Sequence, residues 1–181
     1  IFMIIEKATI EQYEDVRSFY HSLIDGLQDS IYDIGWKKDI YPEPEYLRSS
    51  ITKGELFIGI IDGQIIVAMV INHESNEGYQ NVDWPTKANA DEVMGIHALG
   101  VHPHYAGHGY AKELVGFAIK YAKENNQKAI RLDVLKGNVP AEKLYSSMGF
   151  KYLCILPMYY EDTGLTDYEL YELSLQRVSI L

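Results

Sequence analysis

The sequence predicts a mixed α/β (α+β) fold, with about seven strands in one sheet and about four flanking helices. Three observations lead to this prediction. Two apolar runs flank an Asp-Gly pair, which is a strong hairpin signal. A third apolar run enters a glycine-rich turn and continues directly as a helix. Along the chain, the elements follow the order strand, helices, hairpin, strand, helix, strand, helix and two strands.

The N-terminal half predicts a strand, helices and a hairpin. Residues 3–7 predict the first strand, and residues 11–27 predict a helix or a pair of helices. Residues 45–52 predict a short helix, opened by prolines that are tolerated in a first helical turn. The runs 56–61 and 64–71 on either side of Asp62-Gly63 predict the hairpin. A long polar loop, residues 73–91, follows, and long loops in compact domains are often functional.

The segment 96–111 predicts a strand, a glycine turn and a helix. Pro103 ends strand pairing because it has no N–H to donate. Gly107 and Gly109 permit backbone conformations that side chains forbid. The helix that follows has an apolar face at i, i+3, i+4 and i+7 spacing, formed by Ala111, Leu114, Val115, Ala118, Ile119 and Ala122.

This glycine turn predicts an anion site, since the unpaired N–H groups of a helix start lie at the positive end of its dipole. A phosphate or pyrophosphate is the expected ligand. The turn is not a P-loop, because Gly109 is followed by Tyr110 and Ala111 rather than by Lys and Ser or Thr. It is not a dinucleotide fingerprint either, because Lys112 stands where the third glycine belongs.

The C-terminal part predicts a strand at residues 130–135, a short helix and two more strands. Asn138 is a suitable N-cap for the helix, and Gly149 is placed to end it in the left-handed conformation. Residues 150–159 and 167–175 predict the final strands, joined by a turn at Thr163-Gly164.

Composition narrows the class of protein. The 181 residues predict one domain, residues 3–181, with the 47% apolar and 23% charged content of a globular protein. The formal charge of −10 argues against nucleic-acid binding. No apolar run approaches the roughly 20 residues of a membrane span, so no membrane partner is expected. The lack of a signal-peptide pattern and the single cysteine, Cys154, lead us to expect a cytoplasmic protein.

Two segments resemble the GNAT superfamily of N-acetyltransferases. The family's coenzyme A loop reads Gln or Arg, two residues, Gly, one residue, then Gly or Ala. Gly109 and Ala111 match this pattern, whereas Ala106 stands where Gln or Arg is usual. The end of the family's core is an Asn, a helix with Leu-Tyr and a closing Gly-Phe, matched here by Asn138, Leu144, Tyr145, Gly149 and Phe150.

The resemblance implies a mixed, mostly antiparallel sheet and direct acetyl transfer from acetyl-CoA to a primary amine of a small molecule or peptide, within a ternary complex. It also leaves a homodimer open. The residues expected to bind acetyl-CoA are Leu99, Gly100, Val101, Ala106, Gly107, His108, Gly109, Tyr110, Ala111, Asn138 and Tyr145.

By this resemblance, Tyr145 is the candidate proton donor to the departing thiolate, because a phenol stays neutral at pH 7. The alternative is a tyrosine that covers the core. The oxyanion donor would be a backbone N–H near Leu99 or Gly100, on a strand that bulges and splays from its neighbour. Gly100 suits a bulge, although a glycine can also simply relieve crowding in a strand.

Two residues are candidates for the base that deprotonates the amine. The run from His97 to His102 resembles the strand of arylalkylamine N-acetyltransferases in which a His at the position of His97 helps deprotonate the amine through water. Gly95 takes the place of a second histidine there. The alternative is a core histidine with satisfied hydrogen bonds. Glu92 is the other candidate, because many family members use an acid nearby, and its alternative is an exposed loop carboxylate.

Four histidines within twelve residues also suggest a metal site, yet zinc sites usually add Cys or acids at tighter spacing, so no metal is expected. These histidines are His97, His102, His104 and His108. His104 and His108 would either replace the charge missing at Ala106 or remain solvated loop residues.

The acceptor site is expected where acids and aromatic residues alternate, a combination that suits a cationic amine. Tyr32, Trp36 and Tyr41 are the candidate acceptor-binding residues. The acids that accompany them are Asp29, Asp33, Asp39, Glu43 and Glu45, and Tyr79, Asp83 and Trp84 are candidate lid residues. The second hypothesis for the whole chain is a noncatalytic acyl-CoA-binding module, which the departure at Ala106 favours.

Overall fold

The computed structural model describes residues 2–176, which form a seven-stranded sheet in the order β1-β2-β3-β4-β5-β7-β6. All neighbours are antiparallel except β4 and β5, which are parallel. The mixed, mostly antiparallel sheet is therefore confirmed. The strands are β1 (Ile4–Lys7), β2 (Leu56–Ile61), β3 (Gln64–Asn72), β4 (Val93–Val101), β5 (Ala129–Leu135), β6 (Lys151–Tyr160) and β7 (Gly164–Ser174).

Four helices cover the two faces of the sheet. They are α1 (Tyr13–Gly26), α2 (Pro44–Thr52), α3 (Tyr110–Glu124) and α4 (Val139–Ser147). Helices α1 and α2 pack on one face through buried residues such as Val16, Tyr20 and Leu47. Helices α3 and α4 pack on the other face, where Leu114 and Tyr145 join the largest apolar cluster. The sheet is thus buried on both sides, which explains its nearly continuous apolar strands.

Strands β4 and β5 separate soon after they begin. Their register pairs Val93–Gly95 with Ala129–Arg131 and then stops, although both strands continue. The expected splay of the central strand is present, and it opens the sheet between the C-terminal ends of β4 and β5.

The bulge in β4 lies at Ala98 rather than at Gly100. Ala98 has a φ of +51°, and the register with β3 shifts between Ala68 and Val70. The hydroxyl of Tyr20 donates to the Ala98 carbonyl oxygen at 2.7 Å, which helps to hold this backbone. Gly100 has a different reason to lack a side chain, because a Cβ there would collide with Leu23 Cδ2.

Most predicted element bounds agree with the structure to within a few residues. Strand β4 begins at Val93, before the predicted start at residue 96, because Val93 and Met94 pair with β5 and Gly95 pairs with both β3 and β5. Strand β7 begins at Gly164, since the turn is tight enough for Tyr160 to pair with Gly164. Residues 177–181, the end of the predicted domain, lie outside the described residues. Within residues 2–176, no helix has both the length and the apolar character required to cross a bilayer.

Candidate active site

A cavity of about 380 Å³ lies where β4 and β5 diverge. Its walls come from the end of α1, the segment that follows it, both splayed strands, the glycine turn, α4 and the β6–β7 hairpin. Twelve residues expected from the sequence line it: Tyr32, Trp36, Tyr41, His97, Leu99, Gly100, Val101, Ala106, Gly107, Ala111, Asn138 and Tyr145. The fold thus brings the residues expected to bind the donor and the acceptor to one place.

The glycine turn has the geometry of an anion cradle. Gly107 and Gly109 have φ angles of +79° and +84°, and α3 starts directly after them at Tyr110. Among the hydrogen bonds of residues 2–176, none uses the main-chain N–H groups of 107–112. These free donors at a helix start fit a pyrophosphate. His108, Gly109 and Tyr110 belong to this turn but stand outside the cavity wall.

Tyr145 is buried beneath the cavity, with 6% of its surface exposed. Its ring packs edge-on against Phe150, with 5.4 Å between the ring centroids. Burial raises the pKa of the phenol above its ordinary value of 10, and the nearby Asp133 carboxylate raises it further. The hydroxyl therefore remains protonated and can act as a donor at neutral and mildly alkaline pH.

Asn138 shapes the cavity through the start of α4. Its side-chain oxygen accepts from the Ala141 N–H at 3.4 Å, so it caps the helix as the sequence predicts. The cap fixes the direction in which α4 carries Tyr145. Asn138 thus lines the cavity and also caps the N-terminus of α4.

His97 reaches the cavity as an uncharged imidazole. Burial lowers its pKa to about 4, although the carboxylate and backbone of Glu74 oppose this shift. Its Nε2 is shielded and has no hydrogen-bond partner among the described residues. A Cβ at Gly95 would lie 2.9 Å from Nε2, so the absence of a side chain there leaves space for the ring.

Glu92 is not brought to the cavity. It lies before β4, at the opposite end of the strand from the splay, and bonds to Lys128 Nζ at 2.9 Å. Its carboxylate also accepts from the Asn89 N–H. This backbone hydrogen bond lowers the pKa of Glu92 most, and the bond with Lys128 lowers it further. Of the two candidate bases, the geometry retains His97.

The three other histidines of the cluster 97–108 lie around the glycine turn. His102 Nδ1 accepts from the His104 N–H at 3.2 Å, and the His108 Nδ1 lies 2.9 Å from the Ala106 carbonyl oxygen. Within residues 2–176, no three His, Cys, Asp or Glu side chains are grouped so that they could hold a metal ion.

The expected acceptor aromatics line the cavity, but the expected acids do not. Asp39 instead bonds Arg17 at 2.8 Å and His21 at 2.9 Å, and these bonds lower its pKa. Asp33 accepts from the Gly35 N–H within a turn. The charge of Asp39 is therefore already compensated outside the cavity.

The acid that does line the cavity is Asp133 on β5, which the sequence reasoning missed. The hydroxyls of Tyr79 and Tyr160 each donate to its Oδ2 at 2.7 Å. Burial raises the pKa of Asp133, while these two hydrogen bonds oppose the rise. A polar residue at one position of the otherwise apolar strand 132–135 was the signal available in the sequence.

The long loop is packed rather than open. Tyr79 and Trp84 are buried against Met158 and Leu170. The Arg131 guanidinium lies 4.5 Å from the Trp84 ring centre and bonds the nearly buried Glu172 at 2.9 Å. This part of the expected lid is a fixed support that carries Tyr79 to Asp133.

Comparison with known proteins gives a family match over most of the chain. Residues 18–150 match the sequence model described as the acetyltransferase (GNAT) family. Two curated relatives match shorter segments. A ribosomal protein bS18-alanine N-acetyltransferase of Haemophilus ducreyi is 36% identical over 62 residues, which is 34% of this chain and 43% of that protein. An N-acetylaspartate synthetase of Xenopus tropicalis is 32% identical over 66 residues, which is 36% of this chain and 24% of that protein. The chain thus spans less than half the length of these relatives.

Solved structures share the fold over the whole length. A GNAT-family acetyltransferase of Streptococcus agalactiae has a TM-score of 0.80 at 18% identity, covering 97% of this chain and 96% of that one. A protein of Salmonella typhimurium, described as an acetyltransferase and solved with its cofactor acetyl-CoA, has a TM-score of 0.69 at 15% identity. That match covers 100% of this chain and 98% of the other. At these identities, the likeness shows the fold.

Proposed function

The chain belongs to the acetyltransferase (GNAT) family, and from this premise we propose that it transfers the acetyl group of acetyl-CoA directly to a primary amine. The observation that carries the proposal is one cavity between β4 and β5. It joins a turn with free N–H groups, a protonated phenol and an aromatic acceptor wall. A noncatalytic binding module would need the turn but not the other two features.

Two parts of the chain would bind different parts of acetyl-CoA. The N–H groups of 107–112 suit its pyrophosphate. The splayed end of β4, residues Leu99 and Val101, has main-chain groups that no longer pair with β5 and can bond to the pantetheine arm. Ala106 lacks the Gln or Arg side chain usual at this position, and its backbone N–H donates to the Pro103 carbonyl oxygen at 3.4 Å.

The transfer requires one bond to form and one to break. The amine nitrogen forms a bond to the thioester carbonyl carbon, and the bond from that carbon to sulfur breaks. A backbone N–H near the Ala98 bulge would stabilise the oxygen that becomes negative. The Tyr145 hydroxyl donates a proton to the departing sulfur, and the phenolate regains a proton from solvent.

The attacking nitrogen must also lose a proton. His97 is neutral and lines the cavity, so it is the acceptor that we propose for this proton, through a water molecule.

The test is release of CoA from acetyl-CoA over a panel of small amines and short peptides, with the acetylated product identified by mass. We expect release that depends on the amine. Tight binding of acetyl-CoA without release on any amine would contradict the proposal and support the noncatalytic module.

A further inference from the structure

Asp133 is the feature of the cavity that the proposed transfer does not use. Its neighbours Leu132 and Val134 are buried in the apolar cluster under α3 and α4. Because side chains alternate along a strand, Asp133 faces the opposite side of the sheet, where Tyr79 and Tyr160 meet it. The sheet therefore carries a carboxylate into the acceptor side of the cavity.

One oxygen of this carboxylate is left for a ligand. Both tyrosine hydroxyls donate to Oδ2, and among residues 2–176 no hydrogen bond uses Oδ1. Asp133 remains partly accessible, and its accessible surface faces the cavity. A carboxylate has about four lone-pair positions, so Oδ1 can accept from a donor that enters the cavity.

Aromatic rings line the space around this oxygen. The ring centroids of Trp36 and Tyr41 lie 5.7 Å apart, those of Tyr41 and Tyr160 lie 6.3 Å apart, and those of Tyr160 and Tyr168 lie 5.0 Å apart. The faces of such rings attract cations. We call these four residues the aromatic row.

The cavity wall carries two carboxylates, of which Asp162 is partly balanced by Lys37 from outside the wall. Asp162, which is 7% exposed, is a second carboxylate in its wall. No Lys or Arg is among the described residues that line the cavity, and His97 is neutral. A ligand with a positive charge is favoured here, and a ligand with a carboxylate beside its amine is repelled.

We propose that Asp133 Oδ1 and the aromatic row bind the ammonium group of the acceptor, and that the acceptor is an amine with no carboxylate next to its amino group. This inference rests on the proposed function in taking the bound ammonium as the group that is acetylated. An ammonium has three N–H donors. When one proton leaves, an N–H can still bond to Oδ1 while the nitrogen lone pair is free to attack.

Matched pairs of amines test the selectivity. We would compare 2-phenylethylamine with phenylalanine, and tyramine with tyrosine. The members of each pair differ by one carboxylate. We expect kcat/KM to be roughly 100-fold higher for the members without the carboxylate, because that carboxylate would lie among the carboxylates of the cavity wall and like charges repel. Equal use of the two members of each pair would overturn the inference and leave the proposed function intact.

Asp133→Asn tests the residue, because it removes the charge and keeps the size. We expect the KM for 2-phenylethylamine to rise at least about 10-fold, with the KM for acetyl-CoA unchanged. Asp91→Asn, an exposed aspartate outside the cavity, is the matched control and should change neither constant. An unchanged KM for the amine in Asp133→Asn would overturn the inference.

Calorimetric binding of the same amines to the CoA-loaded protein separates this inference from the proposed function. If no amine is acetylated but 2-phenylethylamine binds more tightly than phenylalanine, and does so only with Asp133 present, the proposed function fails and the inference stands. Equal binding of the two compounds would overturn the inference. These comparisons use the unmodified chain as well, so they remain valid if Asp133→Asn does not fold.

Discussion

At the scale of single residues, the cavity contains two groups that burial keeps uncharged. The Tyr145 phenol has a raised pKa, and the His97 imidazole has a pKa lowered to about 4. Burial holds each group in the protonation state that its proposed role needs, the phenol with its proton and the imidazole unprotonated. The same burial makes the phenol a weaker acid and the imidazole a weaker base.

Tyr145→Phe should lower kcat by roughly 100-fold or more, because it removes the proton donor. The ring keeps its contacts with Phe150 and Tyr171, so the affinity for acetyl-CoA should change little. Steady-state kinetics and a separate titration of CoA measure the two effects. Full activity in Tyr145→Phe would show that Tyr145 only packs in the core and does not donate the proton.

His97→Gln should slow turnover with a weakly basic acceptor that stays neutral across the pH range. The wild-type rate should stay flat through the ordinary histidine range and fall only as the pH approaches about 4. The sequence alone predicts this fall near ~6.5. A variant with the wild-type rate and the same pH profile would make His97 structural.

The same imidazole makes stability depend on pH. Between pH of about 6.5 and about 4, the unfolded chain binds a proton at His97 that the folded chain does not. Stability therefore falls as the pH falls through this window, by about 3 kcal/mol at most from this residue. Urea unfolding at several pH values should show a smaller loss for His97→Gln than for the wild type. An equal loss of stability in the two proteins would mean that His97 has its ordinary pKa in the folded protein.

At the scale of elements, the glycine turn leads directly into α3. Gly107 and Gly109 have left-handed φ angles, and the N–H groups of 107–112 make no hydrogen bond among residues 2–176. Ala106 and Gly107, at the start of the turn, also line the cavity. In the proposed binding mode, the turn therefore connects a pyrophosphate site outside the cavity with the space between the splayed strands.

Gly109→Val should greatly reduce the affinity for acetyl-CoA, because a β-branched residue does not adopt a φ of +84° without strain and would reshape the turn. Gly63→Val is the matched control. Gly63 has a φ of +77° in the β2–β3 hairpin, and like Gly109 it has open space where a Cβ would be. Both variants should lose similar stability, but only Gly109→Val should lose binding, as measured by calorimetry. Unchanged affinity in folded Gly109→Val would refute the assignment of the turn.

The sequence was sufficient where local patterns decide the structure. Helical spacing located α3, and the Asp-Gly pair located the β2–β3 hairpin. It was insufficient where distant residues decide. Asp133 is held by hydroxyls that are 54 and 27 positions away, so its role depends on packing that no local pattern encodes. The bulge at Ala98 likewise uses a left-handed φ that glycine would adopt more easily, and this preference pointed to Gly100 instead.

At the scale of the whole molecule, the sheet has two halves that join through a short stretch of parallel pairing. Strands β4 and β5 pair only at Val93–Gly95 and Ala129–Arg131. The cavity lies beyond this junction, with the glycine turn after β4 and Tyr145 after β5. In the proposed transfer, both halves are therefore required, and both substrates are present between them together.

Initial rates of CoA release, measured while acetyl-CoA and the best amine of the panel are both varied, distinguish direct transfer from transfer through an acetylated protein. A ternary complex predicts double-reciprocal lines that intersect, an N-acetylated product and no acetyl group on the protein. Parallel lines, together with an acetylated protein when the amine is omitted, would contradict direct transfer in the cavity between β4 and β5.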